Sequence, residues 1–161
     1  MLFRSPKSLL RHPQAVSKVE ELTKGTFHEV IGDSAMEIAK AKKCILVSGK
    51  LYYELVDARE KNKITDTAII RIEQLYPFPE TQLKAVFKGA KKLESVIWAQ
   101  EEPKNMGAWS YICHPLREFT ENLELPEPQY VGRTHRASPA TGTTKKHQQE
   151  QQQILKDCFK N

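Results

Sequence analysis

Four times along the chain, a short run of aliphatic and β-branched residues gives way to a segment with helical spacing. This alternation limits the available folds more than any other feature. Cys44-Ile-Leu-Val47 is continuously apolar and is punctuated by Ser48-Gly49. An amphipathic stretch from Lys50 to Asn62 follows, with Leu51, Leu55 and Ala58 on one face. The pattern recurs with a strand over 67–72 and a helix from about Pro79 to Lys92, then with a strand over 95–100 and a helix from Asn105. A strand at 128–133 precedes a last helix beginning near Thr143, and residues 25–32 are expected to form a fifth, edge strand. Runs that are apolar at every position suit strands covered on both faces. Strands alternating with helices of this length predict an α/β fold: three layers, with a mostly parallel sheet of about five strands and one antiparallel edge strand between helices.

At 161 residues the chain is one domain's length and can bury a core without disulfides or metal. Its three cysteines, Cys44, Cys113 and Cys158, are far apart and include no CxxC pair, which argues against a disulfide framework or zinc site. Cys113 lies among apolar residues and is expected to be a buried structural thiol. No apolar run approaches the roughly 18 residues of a membrane span. The net charge of +5 comes from dispersed lysines and arginines with no interleaved aromatic ladder, so nucleic-acid binding is not indicated. The basic, amphipathic start raises the possibility of a transit peptide, but Pro6, Pro13 and the acidic pair Glu20-Glu21 speak against it.

In a parallel α/β sheet, ligands bind at the carboxyl ends of the strands. That rule collects Ser48, Gly49 and Lys50 from the first unit, and Glu73 and Gln74 from the second. It adds Glu101, Glu102, Asn105 and Gly107 from the third, and Gly132, Arg133 and Arg136 from the fourth. Ser48-Gly49-Lys50 before a helix is either an anion seat or a plain strand-to-helix turn, because the second glycine of a phosphate loop is missing. The loop "GRTHRASPATG" (132–142) offers two arginines for phosphate or a partner's carboxylate, or is a surface loop with a threonine capping the last helix. Glu101 and Glu102 are neighbours on a strand and point to opposite faces, so they cannot share a proton. Cys113 and His114 diverge on a helix, and the five histidines lack ligand spacing. The residues give a binding edge and no catalytic constellation.

Five segments, "PKSLLRHPQAVS", "SGKLYYEL", "RIEQLYPFP", "QEEPKNMGAW" and "GRTHRASPATG", occur in order at characteristic spacings. Together they resemble the C-terminal domain of the thiamine-diphosphate-dependent first component of 2-oxoglutarate dehydrogenase. The resemblance implies a transketolase C-terminal-like domain over 25–161, with 1–24 as an interdomain linker and N-terminal helix. It implies an oxidoreductase of the tricarboxylic acid cycle whose thiamine diphosphate and magnesium are held by preceding domains, with no cofactor in this chain. Gly32-Asp33-Ser34 is the nearest approach to the family's diphosphate signature and departs from it at the third position. The isolated chain is therefore expected to be inactive.

Implied partners are the upstream thiamine-binding domains, a dimer partner, and the dihydrolipoyl succinyltransferase complex. In some relatives acetyl-CoA acts as an allosteric regulator, which makes acetyl-CoA or AMP a candidate ligand here. Ser48, Lys50, Arg71, Glu73, Gln74, Arg133 and Arg136 are then the candidates for an allosteric ligand or a domain interface. A free-standing acyl-CoA or nucleotide sensor is the alternative. The expected location is the cytoplasm of a bacterium, or the mitochondrial matrix in a eukaryote. "MLFRSPKSLLRHP" reads as the end of a preceding strand running into a linker, with Met1 an internal or engineered start.

Overall fold

The apolar strand runs become a five-stranded sheet in a computed structural model that describes residues 7–160. The reading of the first residues as the end of a strand falls on 1–6, outside the described residues. A short helix α1 (Val19–Lys24) precedes the two-residue strand β1 (Val30–Ile31). Then come β2 (Lys43–Val47), α2 (Leu51–Lys61), β3 (Thr67–Ile72), α3 (Glu80–Val86), β4 (Ser95–Pro103), α4 (Trp109–Asn122), β5 (Pro128–Arg133) and α5 (Thr144–Phe159). The spatial order is β1-β3-β2-β4-β5; the last four strands are parallel, and β1 runs antiparallel to β3.

Three corrections concern length, the first being that α4 starts at Trp109 instead of Asn105, after the chain turns at Gly107 with φ +67°. The edge strand expected over 25–32 shrinks to Val30–Ile31, paired with Ile72 and Arg71. Helix α3 ends at Val86 instead of Lys92, because the chain turns at Gly89 with φ +84°, a conformation glycine adopts without a Cβ penalty. Among the described residues no helix is long and apolar enough to cross a membrane.

Alternation along each strand divides the core in two. Cys44, Leu46, Ile70, Ile72, Val96 and Trp98 face α3 and α4, meeting Leu83, Phe87, Ile112, Leu116 and Phe119. Ile45, Val47, Ile69, Ile97 and Ala99 face the opposite way, onto Leu51 and Leu55 of α2 and Ile154 and Cys158 of α5. Full burial of a side chain of this size stabilises by roughly 1.5–3 kcal/mol. The chain passes leftward from β2 to β3 over the α2 face and rightward through β4 to β5 over the α3–α4 face, as right-handed crossovers require. Helix α5 then returns to the α2 face, and its Gln-rich sequence keeps only Gln151, Ile154 and Cys158 fully covered.

The short β1 leaves the rest of the β3 edge to a side chain. Asp33, just after β1, accepts the Ile69 amide proton at 2.7 Å. It also takes both terminal nitrogens of Arg59 on α2, Nη2 at 3.2 Å from Oδ1 and Nη1 against Oδ2. Both side chains are buried, and Arg59 Nη1 donates further to the Thr67 carbonyl at 3.2 Å. One carboxylate thus closes a sheet edge and fastens it to a helix.

Candidate functional site at the carboxyl edge of the sheet

Because β2 connects toward β3 and β4 toward β5, the strand order reverses between β2 and β4, and a parallel sheet opens its ligand crevice at such a point. The turn after β2 places Gly49 at φ +73° and starts α2 after Lys50. Lys50 Nζ lies at the reversal, 2.5 Å from Glu101 at the end of β4 and 2.9 Å from Glu54 on α2. Partial burial opposes the ammonium charge, but the hydrogen bonds it donates to Glu101 and Glu54, with the charges of both carboxylates, outweigh that and raise the Lys50 pKa above the ordinary value. Ser48 is half-buried beside this pair.

On the β3 side, Arg71 Nε donates to Glu73 at 2.9 Å, and its guanidinium stacks 4.8 Å from the Tyr52 ring and 5.7 Å from Tyr53. Burial opposes this charge too; the Glu73 contact offsets it and raises the Arg71 pKa. Gln74 turns to the next loop and donates to the Pro77 carbonyl at 3.0 Å.

The β5 side is bound to α5. Arg136 grips Glu150 with both terminal nitrogens, at 3.0 and 2.6 Å. Arg133 is buried, with Nε 3.0 Å from the same carboxylate and Nη2 2.9 Å from His147 Nδ1. The Arg133 N–H is poorly directed at Glu150, so that contact is one of charge more than of hydrogen bonding. Arginine only donates, so His147 accepts at Nδ1. Asn105 exchanges two hydrogen bonds with the Arg136 backbone, at 2.8 and 3.0 Å, and holds the loop after β5 to the loop after β4. Thr143 caps α5 as expected, accepting the Lys146 amide at 3.3 Å.

The candidates therefore gather in two groups along one edge, Lys50 with Ser48 and Arg71 with Glu73 and Gln74 on one side, Arg133 with Arg136 on the other. Of the carboxylates that neutralise them, Glu73 and Glu101 were already placed at this edge by the sequence, whereas Glu54 and Glu150 were missed. Glu54 and Glu150 sit in helical segments whose spacing marks them only as solvent-facing, and no local pattern announces that Gln151 donates to Glu54 at 2.8 Å across the α2–α5 seam.

Glu150 has a pKa below the usual carboxylate value of 4.5, chiefly because of the Arg136 hydrogen bonds, which with the charges of Arg136, Arg133 and Lys146 outweigh the opposing desolvation. A depressed carboxylate stabilises fully above its unfolded pKa, and the contribution disappears as pH falls through the folded value. Glu150→Gln is expected to lower Tm by a few degrees at pH 7 and to narrow the gap to wild type as pH drops below 4.5, measured by thermal melts across pH 3–8.

Further chemistry at this edge is limited by what each group already does. Glu101 is held by Lys50, while Glu102 is exposed, so the two do not form an acid–base pair. Cys113 is half-buried, a correction to its expected full burial, because its position on α4 lies beside the core face rather than on it. Burial raises the thiol of Cys44, with the Asp33 charge adding to it, and pushes Cys158 up to about 12. Neither is a nucleophile at neutral pH. No group of three potential metal ligands occurs among the described residues. Gly32-Asp33-Ser34 does not fit a magnesium diphosphate, since the Asp33 carboxylate is buried against Arg59 and the Ile69 amide.

The family model described as 2-oxoglutarate dehydrogenase C-terminal matches residues 16–159. The chain belongs to this family. It is 41% identical over 161 residues to the 2-oxoglutarate dehydrogenase E1 component of Cupriavidus necator, covering 99% of the chain and 17% of that protein. The E1 components of Azotobacter vinelandii and Rickettsia typhi are 42% and 44% identical, over 96% and 99% of the chain and 17% of each protein. The chain thus spans about one-sixth of the length of these relatives. Among solved structures, a split gene transketolase, described as an inactive beta4 tetramer, aligns with TM-score 0.51 and 16% identity over 75% of this chain and 38% of that one. That likeness is one of fold, and it agrees with the expected transketolase C-terminal-like architecture.

Proposed function

We propose that this chain is the C-terminal, non-catalytic unit of a 2-oxoglutarate dehydrogenase first component. The parent decarboxylates 2-oxoglutarate on thiamine diphosphate and magnesium and passes the succinyl group to the lipoyl arm of the dihydrolipoyl succinyltransferase. The family match over residues 16–159 carries this reading. The edge chemistry agrees with a packing role, since its charged side chains are tied into ion pairs within the domain. Residues 1–24 serve as linker and 25–161 as the packing domain. The candidate edge residues stiffen the strand ends and meet neighbouring domains of the dimeric parent, in the bacterial cytoplasm or the mitochondrial matrix.

A free-standing sensor of acetyl-CoA or AMP has less support. Lys50, Arg133 and Arg136 already face carboxylates, so a phosphate would have to displace Glu101, Glu54 or Glu150. Calorimetry with acetyl-CoA and AMP separates the two readings, since micromolar binding by the chain alone would bring the sensor forward.

The direct test uses the first component of the same source made without the matching segment, together with the other components of the complex. The chain alone is expected to show no 2-oxoglutarate-dependent NADH formation, and its addition to the shortened component to restore it at least tenfold. Turnover by the chain alone, or no restoration, overturns the proposal.

A further inference from the structure

The segment from Leu10 to Phe27 exposes more large apolar side chains than the rest of the described chain. Leu10, Val16, Val19, Leu22 and Phe27 are all exposed, with Leu22 at 77%, and elsewhere only Tyr76 and Tyr111 are comparable. Helix α1 is the one helix of the five that buries no residue. Val19 and Leu22 are one turn apart and share a face. Six residues are too few for a helix to persist in water without tertiary packing. This helix has the reach-back contact of Glu21 to the Lys18 amide at 2.8 Å, but nothing covering its apolar side.

The segment is nevertheless held in place. His12 packs 4.8 Å from the Tyr53 ring, and Gln14 donates to Asp57 at 3.2 Å, both on α2. Tyr53 in turn meets Tyr52 and the Arg71 guanidinium at the carboxyl edge. An apolar strip tethered at its start in this way is a presented surface, with the cost of ordering its first residues already met and α1 left for an occupant to cover. Its charges nearly balance, Arg11, Lys18 and Lys24 against Glu20 and Glu21, so the strip has neither the field of a nucleic-acid site nor that of an anionic membrane site.

Relatives supply the size of the occupant. The chain covers 17% of the Cupriavidus necator protein and matches a C-terminal family model, so most of that relative precedes the equivalent of this arm. We infer that residues 10–27 form the seat on which the catalytic part of the first component packs, with Val19 and Leu22 at its centre. This rests on the proposed function and adds to it the surface through which the unit is held.

The test compares wild type with Val19→Asp/Leu22→Asp and with Tyr76→Asp, each titrated by sedimentation velocity against the first component made without the matching segment. Because α1 buries nothing, the double variant is expected to keep its circular dichroism and Tm, yet to bind at least tenfold more weakly. Tyr76→Asp and the conservative Leu22→Met are expected to bind as wild type does. Unchanged binding by the double variant, while wild type binds, overturns this inference and leaves the assembly reading standing. Weaker binding by Tyr76→Asp alone moves the seat to the Tyr76–Tyr111 pair and overturns it too. No binding by wild type overturns the assembly reading and the seat with it. If the chain alone forms dimers that the double variant abolishes, a second copy is the occupant, and the inference fails on that ground.

Discussion

Asp33→Ala is expected to lower the unfolding free energy by about 3–5 kcal/mol, the range for removing one partner of a buried ion pair. The loss has three parts. Arg59 is left charged, buried and short of acceptors, with only the Thr67 carbonyl remaining at 3.2 Å. The Ile69 amide loses its acceptor at the sheet edge. The segment after β1 loses its tie to α2. Against a total stability of about 5–15 kcal/mol for a domain, this is a large fraction. Urea unfolding at pH 7, followed by far-ultraviolet circular dichroism, measures it as a shift in midpoint at constant m. Asp33→Leu with Arg59→Met is expected to recover more than half of the loss, because the double replacement leaves no buried charge and takes partners only from the Ile69 amide and the Thr67 carbonyl. A cost below 1 kcal/mol for Asp33→Ala would falsify the clasp as a buried pair.

Gln100→Leu is the second large effect. Gln100 is buried at the end of β4 and serves as the hub of the β4–α4 connection. Its Oε1 accepts the Trp98 indole proton and the Trp109 amide, each at 2.9 Å, and its Nε2 donates to the Met106 carbonyl at 2.8 Å. Leucine is close in volume but satisfies none of these, so two buried donors and a carbonyl lose their partners. At roughly 1–3 kcal/mol for each unsatisfied buried group, with relaxation and water entry reducing the sum, the expected cost is about 3–4 kcal/mol. Gln100→Glu separates hydrogen bonding from shape: it keeps the acceptor for both donors but turns the Nε2 donor into a second acceptor facing Met106. It is expected to be destabilising at pH 7 and to improve toward acid pH, where the carboxyl regains a proton to donate. Near-ultraviolet circular dichroism of Trp98 and Trp109 reports the local loosening directly, and an unchanged spectrum in Gln100→Leu with wild-type stability would remove Gln100 from this role.

The close packing around that hub extends to β5. Tyr130 Oη lies 2.9 Å from the Glu102 carbonyl and 2.7 Å from that of Arg133, so its single proton serves one at a time. Burial pushes the phenol up to about 12, so it stays a donor throughout the neutral range. Gly132 sits beneath: a methyl there would fall on Tyr130 Oη and within 2.6 Å of the Gln100 carbonyl oxygen. Gly107, at φ +67°, is likewise hemmed by Glu102 and Gln100. Both glycines belong to the segments whose order and spacing carry the family resemblance, and the structure supplies a physical reason for each: Gly132 passes too close to Tyr130 and the Gln100 carbonyl, and Gly107 combines a positive φ with a close approach to Glu102.

The layers were legible in one dimension. Runs such as Cys44-Ile-Leu-Val47 and Ala68-Ile-Ile are apolar at every position because helices cover both faces of the sheet. Parallel order and right-handed crossovers followed, and with them the edge at which Lys50, Arg71, Gln74, Arg133 and Arg136 would emerge. Strand and helix lengths at the margins were less legible, because β1 and α3 end where Asp33 and Gly89 take over from regular hydrogen bonding. Only the tertiary structure decided the pairing. Asp33 meets Arg59 across 26 positions, Lys50 meets Glu101 across 51, and Gln151 meets Glu54 across 97. Periodicity reports whether a side chain faces the core or the solvent; it carries no information about which distant carboxylate will meet which cation. That choice is made in packing: β4 brings Glu101 to Lys50, α5 brings Glu150 to Arg133 and Arg136, and cations that the sequence offers as an anion seat or a plain turn become internal ion pairs.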